Sequence, residues 1–548
     1  MQTAQAGAAL HHQLAQALPQ LGADVVFGLV GDANLFMVKA YVETGLGRYV
    51  ACTHEANAVL AAIGHAQVTG LTGVASVTHG PALTNIATAL VEGVRGGVPL
   101  VVLCGDTAPG DLQHLQKLDQ RELVAATGAG FVEMRNPDTA LVDLERAFRL
   151  AAHQRRPVVF NMRVDLQWAP AAAAAVVTLP PALPPAAADP ALVEEAAGML
   201  ASARRPLILA GRGAISDVAK AAILALARRI EAPVATTLKA QGLFQGEAFN
   251  LGICGGLSHP AATDAIMKSD CILAFGASLS KHTTENGSYL EGKRVIQILP
   301  DAIENPRMVP PTLRLIGDAA LTAQAIVDLL DMAEIPGAGA TDLDLEAALR
   351  AEAKDFAKLP PMAATAPGTV DFAPALRQLH QALPQDRVLV ADLGRFVTTA
   401  WRNLPVTAPR DLVYTCHFGG IGCGLGQALG AAVAAGDRTT VLVAGDGGFL
   451  LSGLSELTTA VNERMNLVLI ICNDGSYGAE HVQLTNRRMD TAISTIRPPD
   501  FAATARAIGL TAHVVTDAES LGFACRSLHE RDGPILIDLR LDPDKIEL

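Results

Sequence analysis

Short apolar runs rich in valine, isoleucine and leucine recur along the chain and alternate with longer segments of helical pattern. Clear examples are VPLVVLCG at 98–105, CILAFG at 271–276 and NLVLIICN at 466–473. Strands that alternate with helices indicate parallel sheets covered by helices on both faces. Aromatic residues are few, with 15 Phe, 5 Tyr and 2 Trp, which disfavours a β-sandwich. The sequence therefore predicts an α/β fold of open, mostly parallel sheets.

Two proline-rich stretches divide this pattern into blocks. Residues 169–190 contain six prolines and are predicted to form a linker, because proline breaks a regular helix. Residues 333–369 are predicted to form a second linker that encloses one charged helix around 342–357. At about 100–200 residues per domain, the remaining chain is long enough for three domains. The predicted domains are 1–168, 191–332 and 370–548.

The charge balance and the apolar runs limit the partners of the protein. With 42 basic and 55 acidic residues the net charge is −13, whereas a nucleic-acid-binding protein usually presents a basic face. No run reaches the roughly 18 apolar residues of a membrane span, and no signal-peptide pattern is evident. None of the eight cysteines forms a CxxC pair, so no zinc knuckle or redox dithiol is indicated. We expect a cytoplasmic protein without a nucleic-acid or membrane partner.

The most informative motif spans residues 445–478, GDGGFLLSGLSELTTAVNERMNLVLIICNDGSYG. One strand is predicted to lead into Asp446, a helix follows, and a second strand leads to Asn473. The carboxyl ends of neighbouring parallel strands share one edge of a sheet, so these two side chains are expected to lie together. Carboxylate, amide and carbonyl oxygens suit Mg²⁺, and the glycines let the backbone approach a phosphate. A tight turn without function is the alternative for GDG alone, and the complete order of strand, helix, strand and NDG disfavours it.

This segment resembles the cofactor motif of thiamine diphosphate (ThDP) enzymes of the pyruvate decarboxylase and acetohydroxyacid synthase superfamily. The resemblance implies ThDP and Mg²⁺ as cofactors, with the metal held by Asp446, Asn473 and the backbone carbonyl of Gly475. The family usually has two consecutive asparagines, and here Cys472 replaces the first while the liganding second one is kept. The resemblance covers nearly the whole chain.

Segments of the first block carry the same resemblance. THEANAVLAAIGHA at 53–66 resembles the segment whose glutamate, here Glu55, contacts the aminopyrimidine ring of the cofactor. HGPALTN at 79–85 resembles the GPGxTN turn of the family and implies that Asn85 lies near the pyrimidine. FGLVGD at 27–32 resembles the early strand and turn of the family.

The third block supplies the remaining predicted contacts with the cofactor. HFGGIGCGLGQALGAAVAA at 417–435 resembles the stretch that holds the middle of ThDP, where Ile421 would prop the two rings into a V shape. DLGRF at 392–396 falls where acetohydroxyacid synthases surround the diphosphate, and Arg395 is interpreted either as a phosphate ligand or as a surface charge. The implied cofactor-binding residues are Glu55, Asn85, Gly394, Arg395, Phe396, Gly420, Ile421, Gly445, Asp446, Gly447, Gly448, Asn473, Gly475, Ser476, Tyr477 and Gly478.

The middle block is similar to the same family in RRPLILAGRGA and KAQGLF. Relatives often hold FAD or a nucleotide in this domain. The segment FGASLSKHTTENGSYL at 275–290 lacks the Asp-Arg-bearing loop of the FAD-containing relatives. A structural middle domain is therefore favoured, and FAD is the alternative.

The resemblance also implies the chemistry. ThDP attacks a 2-oxo acid, CO₂ leaves, and the remaining enamine on C2 is protonated or adds to an aldehyde or a second oxo acid. We expect an acetolactate synthase-like decarboxylase and carboligase, with a simple decarboxylase or C–C lyase that releases an aldehyde as the alternative. An NAD-type oxidoreductase is disfavoured because no GxGxxG spacing occurs in 417–435, and an inactive scaffold because Glu55, Asp446 and Asn473 are intact.

The expected catalytic residues are Glu55, His79, Gln116 and His481, with Phe396 and Glu480 as further candidates on the substrate side. We expect the first-block turn to offer only His79 as a proton donor, so that carboligation competes well with aldehyde release. In the family the glutamate block of one subunit faces the GDG block of another. The resemblance therefore implies a homodimer or homotetramer.

Overall fold

The computed structural model describes residues 9–170, 177–178, 184–301 and 310–546. Among these residues it contains three six-stranded parallel sheets with helices between the strands. The predicted α/β fold class is thereby confirmed. Half of the linker predicted at 169–190 lies outside the described residues, and the domain limits stay predictions. The helix predicted within 333–369 is present as Leu343–Ala357.

The first sheet belongs to the first block. Its strands are β1 (Val25–Gly28), β2 (Arg48–Ala51), β3 (Gly73–Val77), β4 (Leu100–Asp106), β5 (Gly130–Glu133) and β6 (Pro157–Arg163), in the spatial order β2-β1-β3-β4-β6-β5. The helices of this block are α1 (Leu10–Gln20), α2 (Leu35–Glu43), α3 (Glu55–Thr69), α4 (Pro81–Asn85), α5 (Ala87–Gly96), α6 (Gln120–Thr127), α7 (Ala140–Gln154) and α8 (Val164–Gln167). Strand β3 is buried along its whole length, as expected for a strand covered on both faces.

The second sheet belongs to the middle block. Its strands are β7 (Pro206–Ala210), β8 (Val234–Thr236), β9 (Asn250–Ile253), β10 (Cys271–Phe275), β11 (Arg294–Leu299) and β12 (Leu313–Ile316), in the order β12-β11-β10-β7-β8-β9. Its helices are α9 (Pro190–Ala201), α10 (Asp217–Arg229), α11 (Pro260–Lys268), α12 (Ala319–Met332) and α13 (Leu343–Ala357).

The third sheet positions the GDG motif. Its strands are β13 (Val388–Ala391), β14 (Leu412–Tyr414), β15 (Thr440–Gly445), β16 (Leu467–Asn473), β17 (Thr511–Val515) and β18 (Ile535–Arg540), in the order β14-β13-β15-β16-β18-β17. Its helices are α14 (Phe372–Ala382), α15 (Val397–Asn403), α16 (Gly424–Ala435), α17 (Asp446–Ser452), α18 (Leu457–Asn462), α19 (Gly478–Asn486), α20 (Phe501–Ile508) and α21 (Ala518–Glu530). Strands β15 and β16 are adjacent, so their carboxyl ends share one edge.

The chain divides into two compact units. One comprises Met1–Pro181, Pro361–Leu404 and Val413–Leu548, and it contains the first and third sheets. The other comprises Ala182–Pro360 and Pro405–Leu412 and contains most of the second block. In the described part of both units, none of the helices combines the length and apolarity needed to cross a bilayer.

Helices α3 and α16 join the first and third blocks within the first unit. A Cβ at Gly430 of α16 would overlap the Ala61 carbonyl of α3, and one at Gly426 would lie 2.7 Å from Leu60 Cβ. Glycine therefore lets the two helix backbones approach each other directly. A single cluster of buried apolar side chains continues from one block into the other. The N-terminus of α3, where Glu55 stands, is thus carried on a shared core.

Candidate active site

The carboxyl ends of β15 and β16 bring the predicted metal ligands to one edge of the third sheet. Asp446 is the first residue of α17 and directly follows β15, while Asn473 is the last residue of β16. Asp446 Oδ2 accepts the N–H of Gly475 at 2.7 Å, and Asp446 Oδ1 accepts the N–H of Gly447 at 2.8 Å. The carboxylate and the Asn473–Gly475 loop are therefore already in contact.

The hydrogen bonds around Asn473 determine which end of its amide can reach a metal. Asn473 Nδ2 donates to Asp538 Oδ1 at 2.8 Å, and Asp538 is fully buried. Since the nitrogen is held by this bond, the oxygen is the end available as a ligand. The carbonyl of Gly475 accepts the N–H of Ile496 at 2.8 Å, which leaves its second lone pair for a cation.

The electrostatics of Asp446 favour a cation beside it. Burial, together with the neighbouring charge of Asp474, raises the pKa of Asp446 to about 7. A divalent cation would offset both effects and keep the carboxylate ionised. The chemistry of these oxygen ligands therefore fits the Mg²⁺ that the resemblance implies.

Two glycines after Asp446 keep open the space beside the metal edge. A Cβ at Gly448 would lie 2.9 Å from Asp392 Oδ2, and a Cβ at Gly447 would lie 2.8 Å from the Tyr477 ring. A side chain at either position would fill this space. The GDG segment and the Tyr477 turn thus form one surface, as the resemblance implies.

Asp392 supports the turn that carries Ile421. It is fully buried, and burial raises its pKa to about 6 although several backbone amides bond to it. Its Oδ2 accepts the N–H of Gly422 at 2.8 Å. The position of a Cβ on Gly448 is 3.7 Å from Ile421 Cβ, so the Ile421 turn lies next to the GDG segment.

Arg395 forms a buried ion pair with Asp474, with Nη2 and Oδ2 separated by 2.6 Å. Its Nη1 donates to the Pro543 carbonyl at 2.7 Å. The Asp474 carboxylate also accepts the N–H and the hydroxyl of Ser476. The guanidinium charge thus anchors the loop that carries the metal ligands, and the phosphate contact expected of Arg395 stays a prediction.

Phe396 lies beside the start of the GDG segment. Its side chain is buried, and a Cβ on Gly445 would be 3.0 Å from its ring. Gly394 lies against the same ring, and Gly478 lies against Arg395. These contacts join the predicted cofactor-binding residues of the third block into one continuous region.

In the first block, Glu55 and Asn85 are in direct contact. Glu55 is the first residue of α3, and His54 caps this helix by accepting the N–H of Ala56. Asn85 ends α4, and its Nδ2 donates to Glu55 Oε2 at 2.9 Å. Two motifs that are separate in the sequence therefore meet at one carboxylate.

A cluster of His79, His114 and Asp32 lies at the N-terminal end of α4. His79 is almost completely buried and its Nε2 is 3.8 Å from Asp32 Oδ1, while its ring packs edge-on against His114 at a centroid distance of 5.0 Å. Gln116 belongs to the same region, because a Cβ on Gly80 would overlap its carbonyl oxygen. The first-block turn itself offers only His79, as expected, but a second histidine, His114, lies beside it from another loop.

Sequence reasoning missed His114 and Asp32 although it had singled out both neighbourhoods. Asp32 ends the FGLVGD segment, and His114 stands two residues before Gln116. No spacing rule connects these loops, because the sheet alone brings them together. The available signal was that both residues stand in loops that follow strands, Asp32 after β1 and His114 after β4.

Two further candidates lie elsewhere. His481 is on α19, and its Nε2 is 3.3 Å from Asp544 Oδ1 in the same block. Glu480 is exposed on the same helix. Among the described residues, no hydrogen bond or ion pair links either side chain to His79. Their catalytic roles stay predictions.

The first and third blocks touch within a single chain close to the candidate site. A Cβ on Gly420 would be 3.8 Å from Thr88 Cγ2, and Thr88 lies on α5, three residues after Asn85. The resemblance implied that the two halves of the site come from different subunits. Contact between the first and third blocks does not require a second copy, and the oligomer stays a prediction.

Comparison with known protein families identifies the family of the chain. The N-terminal TPP binding domain of thiamine pyrophosphate enzymes matches residues 9–123, the central domain matches residues 193–326, and the C-terminal TPP binding domain matches residues 392–539. The chain belongs to the thiamine pyrophosphate enzyme family.

Curated relatives extend over almost the whole chain. A probable 2-ketoarginine decarboxylase of Pseudomonas aeruginosa is 30% identical over 96% of this chain and 93% of its own length. The large subunit of acetolactate synthase isozyme 2 of Escherichia coli is 26% identical over 96% of this chain and 94% of its own length. The acetolactate synthase large subunit of Corynebacterium glutamicum is 27% identical over 97% and 86%. The chain is thus similar both to a probable decarboxylase and to acetolactate synthases.

Proposed function

We propose that this protein is a ThDP- and Mg²⁺-dependent enzyme that removes CO₂ from a 2-oxo acid. The observation that carries the proposal is the metal edge, where a buried carboxylate with a raised pKa, Asp446, touches the Asn473–Gly475 loop. Such a carboxylate is costly without a cation, and a Mg²⁺-bound diphosphate provides one. Relatives that are named decarboxylase and acetolactate synthase support a 2-oxo acid as substrate.

Each half of the site has its own task in this proposal. Asp446, Asn473 and the Gly475 carbonyl would hold the metal, and Gly447 and Gly448 leave room for the diphosphate. When bound, ThDP would supply a nucleophilic C2 carbon and a positively charged thiazolium ring, which accepts the electron pair released when CO₂ leaves.

Glu55 is the residue proposed to exchange a proton with the pyrimidine. Asn85 donates to its Oε2, so the other oxygen stays available to a ring nitrogen. A carboxylate held in one orientation by a neutral donor is a suitable general acid–base group. Glu55 is half-buried, which leaves it accessible to the cofactor.

His79 and His114 favour release of an aldehyde over carboligation. After CO₂ has left, the reacting carbon must receive either a proton or a second carbonyl carbon. The backbone N–H of Gln116 donates to His114 Nδ1 at 3.2 Å, so a neutral His114 carries its proton on Nε2. With the exposed Asp32 carboxylate beside His79, the pair can deliver a proton and take a replacement from the solvent that reaches Asp32. This departs from the expectation of acetolactate synthase-like carboligation.

The same three side chains have ligand atoms within 4.8 Å of one another, as a metal site would. A metal on His114 Nε2 would move the proton to Nδ1, where the N–H of Gln116 already donates. Two N–H groups cannot share that bond. The hydrogen bond therefore favours a proton donor over a metal ligand.

The test begins with protein stripped of cofactors. Titration with ThDP should show tight binding only when Mg²⁺ is present. The loaded protein should release CO₂ from at least one member of a panel of 2-oxo acids with small aliphatic, aromatic, acidic and guanidinium side chains. Product analysis with and without added aldehydes then separates aldehyde release from acyloin formation. Failure to bind ThDP would refute the proposed function, and acyloin as the main product would refute aldehyde release.

A homodimer or homotetramer is part of the proposal. The support is the resemblance to enzymes whose subunits face each other. Light scattering of the loaded protein should give twice or four times the mass of one chain, and a fully active monomer would contradict it.

A further inference from the structure

Two glutamates that take no part in the site described above are completely buried where the first and third blocks meet. Glu92 lies on α5 of the first block, and Glu456 ends the short 3₁₀ turn Leu454–Glu456 of the third block. A carboxylate removed from water needs hydrogen-bond donors to offset its lost hydration. For both glutamates, the donors include consecutive backbone amides of the opposite block.

Glu456 holds the residues that precede Glu55. Its Oε1 accepts the N–H groups of Thr53 and His54, both at 2.9 Å. Its Oε2 accepts the hydroxyl of Thr459 at 3.0 Å. The backbone from which Glu55 extends is therefore attached to a side chain of the third block.

Glu92 holds the residues that precede the Ile421 turn. Its Oε2 accepts the N–H of Phe418 at 2.7 Å, and its Oε1 accepts the N–H of His417 at 3.2 Å. The Nδ1 of His417 is 2.7 Å from the same Oε1. The turn that carries Ile421 is thus attached to a side chain of the first block.

We propose that Glu92 and Glu456 are a reciprocal pair of positioning residues, each holding the cofactor-facing segment of the other block. The proposal rests on the proposed function, because that function requires the segments around Glu55 and Ile421 each to face a bound cofactor. Hydrogen bonds from backbone amides to an ionised carboxylate are strong, and burial strengthens them further. A misplacement of about 1 Å in such a site can cost about 100-fold in rate, so the position of each segment matters.

The two glutamates differ in how their oxygens are used, and this difference provides a sharp test. Both oxygens of Glu92 accept a backbone N–H, so the amide nitrogen of Glu92→Gln would face a donor in either orientation. A single oxygen of Glu456 accepts both amides. In Glu456→Gln the amide nitrogen can point to the Thr459 hydroxyl, which accepts hydrogen bonds as well as donating them. The first substitution should disrupt its segment, and the second should preserve it.

The experiment measures hydrogen–deuterium exchange at C2 of bound ThDP, with the cofactor saturating. Glu92→Gln and Glu456→Ala should each slow this exchange by about 10- to 100-fold, whereas Glu456→Gln should change it by less than about threefold. Asp143→Asn is the matched control, because Asp143 is a buried carboxylate of the first block that is bonded to Arg135. It should lower the melting temperature without changing C2 exchange. Equal C2 exchange in Glu92→Gln and Asp143→Asn would overturn the proposal.

A second measurement does not depend on ThDP. In the wild-type protein without cofactor, the backbone amides of Thr53, His54, His417 and Phe418 should exchange with deuterium as slowly as those of the central strands. Glu92→Gln should speed exchange at 417–421 and leave 53–57 protected, and Glu456→Ala should do the reverse. Rapid exchange of these amides in the wild type would overturn the proposal even if a variant failed to fold. Wild-type protein that protects these amides but binds no ThDP would refute the proposed function instead.

Discussion

The two halves of the candidate site differ in how far the protein satisfies their polar groups. In the third block, both oxygens of Asp446 accept backbone N–H groups, and Arg395 neutralises Asp474 next to the metal loop. In the first block, Asp32 is 69% exposed, and the buried Nδ1 of His79 has no hydrogen-bond partner among the described residues. The third-block half is arranged to bind a charged group, whereas the first-block half keeps groups unsatisfied that a substrate can meet.

We call the third-block half of the site the binding half and the first-block half the reacting half. The largest effect is expected when the charge of Asp446 is removed from the binding half. Asp446→Ala should weaken Mg²⁺-dependent binding of ThDP by at least about 100-fold, because no carboxylate would then offset the metal. Asn473→Ala should cost less, about tenfold, since an amide is a neutral ligand. Calorimetric titration of ThDP into cofactor-free protein, with Mg²⁺ present, measures both affinities.

Asp270→Asn is the control for these two variants. Asp270 also accepts backbone N–H groups, from Arg204 and Arg205, but it lies in the unit that contains the second sheet. Its substitution should leave ThDP affinity unchanged. If Asp446→Ala and Asn473→Ala bound ThDP as tightly as this control, the metal assignment would be wrong.

The second substitution affects the reacting half alone. Glu55→Gln should keep ThDP affinity within about threefold of the wild type but slow C2 exchange by about 100-fold or more, because an amide cannot hold the proton that a carboxylate exchanges. Quenched-flow exchange followed by NMR measures the rate. Glu43→Gln, at the exposed end of α2, is the matched control. Unimpaired C2 exchange in Glu55→Gln would assign the activation to another group.

The third test sharpens the roles within the first block. His114→Gln and His79→Gln should each raise the ratio of acyloin to aldehyde by about tenfold, because a proton donor is lost while the carbonyl-binding surface is kept. Gln116→Ala should have the opposite effect and lower acyloin formation more than CO₂ release. Gas chromatography of the products measures both. His153→Gln, on the exposed end of α7, should leave the ratio unchanged.

An unchanged product ratio in all three variants would contradict the assignment of the histidine cluster. The proton would then reach the reacting carbon from water or from the third block. In that case His481, which lies near Asp544, becomes the next residue to substitute.

The smallest expected effect is a change in how the stability of the binding half depends on pH. Without cofactor, Asp446 has a folded-state pKa of about 7, above its ordinary value of 3.8. A raised pKa favours the protonated form, so its contribution to stability is complete below about pH 4 and is lost as the pH rises through about 7. Asp446→Asn does not titrate, although its amide nitrogen faces the N–H of Gly447 or of Gly475 and lowers stability at every pH. Between pH 4 and pH 8 the wild type should therefore lose about 1–3 kcal/mol more of its free energy of unfolding than the variant loses.

Urea denaturation at pH 4 and pH 8, without cofactor, tests this expectation. The difference in free energy of unfolding between variant and wild type should shift by this amount between the two pH values. Mg²⁺ with ThDP should stabilise only the wild type. An equal pH dependence in the two proteins would mean that Asp446 is not destabilised by its surroundings.

The fold could be predicted from the sequence because each central strand is a continuous apolar run. Strand β16 is an example, since LVLIICN is buried throughout and ends with Asn473 at the carboxyl end of the strand. Asp446 and Asn473 could be placed together for the same reason. The cluster around His79 could not, because Asp32 and His114 lie in loops whose approach depends on the strand order β2-β1-β3-β4.

The buried glutamates show a second limit of the sequence. Glu92 and Glu456 stand in helical segments, where a charged residue is usually solvated. Nothing in either segment indicates that another block covers the side chain. Their donors are main-chain amides, which every residue except proline offers, so no residue type marks the partner.

The glycine contacts between α3 and α16 have a consequence for engineering by recombination. Gly430 and Gly426 leave no room for a side chain against Ala61 and Leu60, so the packing of the two helices depends on the residues of both. A chimera with the first block of another protein and the native third block would bring together two helix surfaces that are not complementary. A recombination library should therefore take α3 and α16 from the same parent protein, with crossover points outside both helices. Otherwise we expect many of its members to be misassembled.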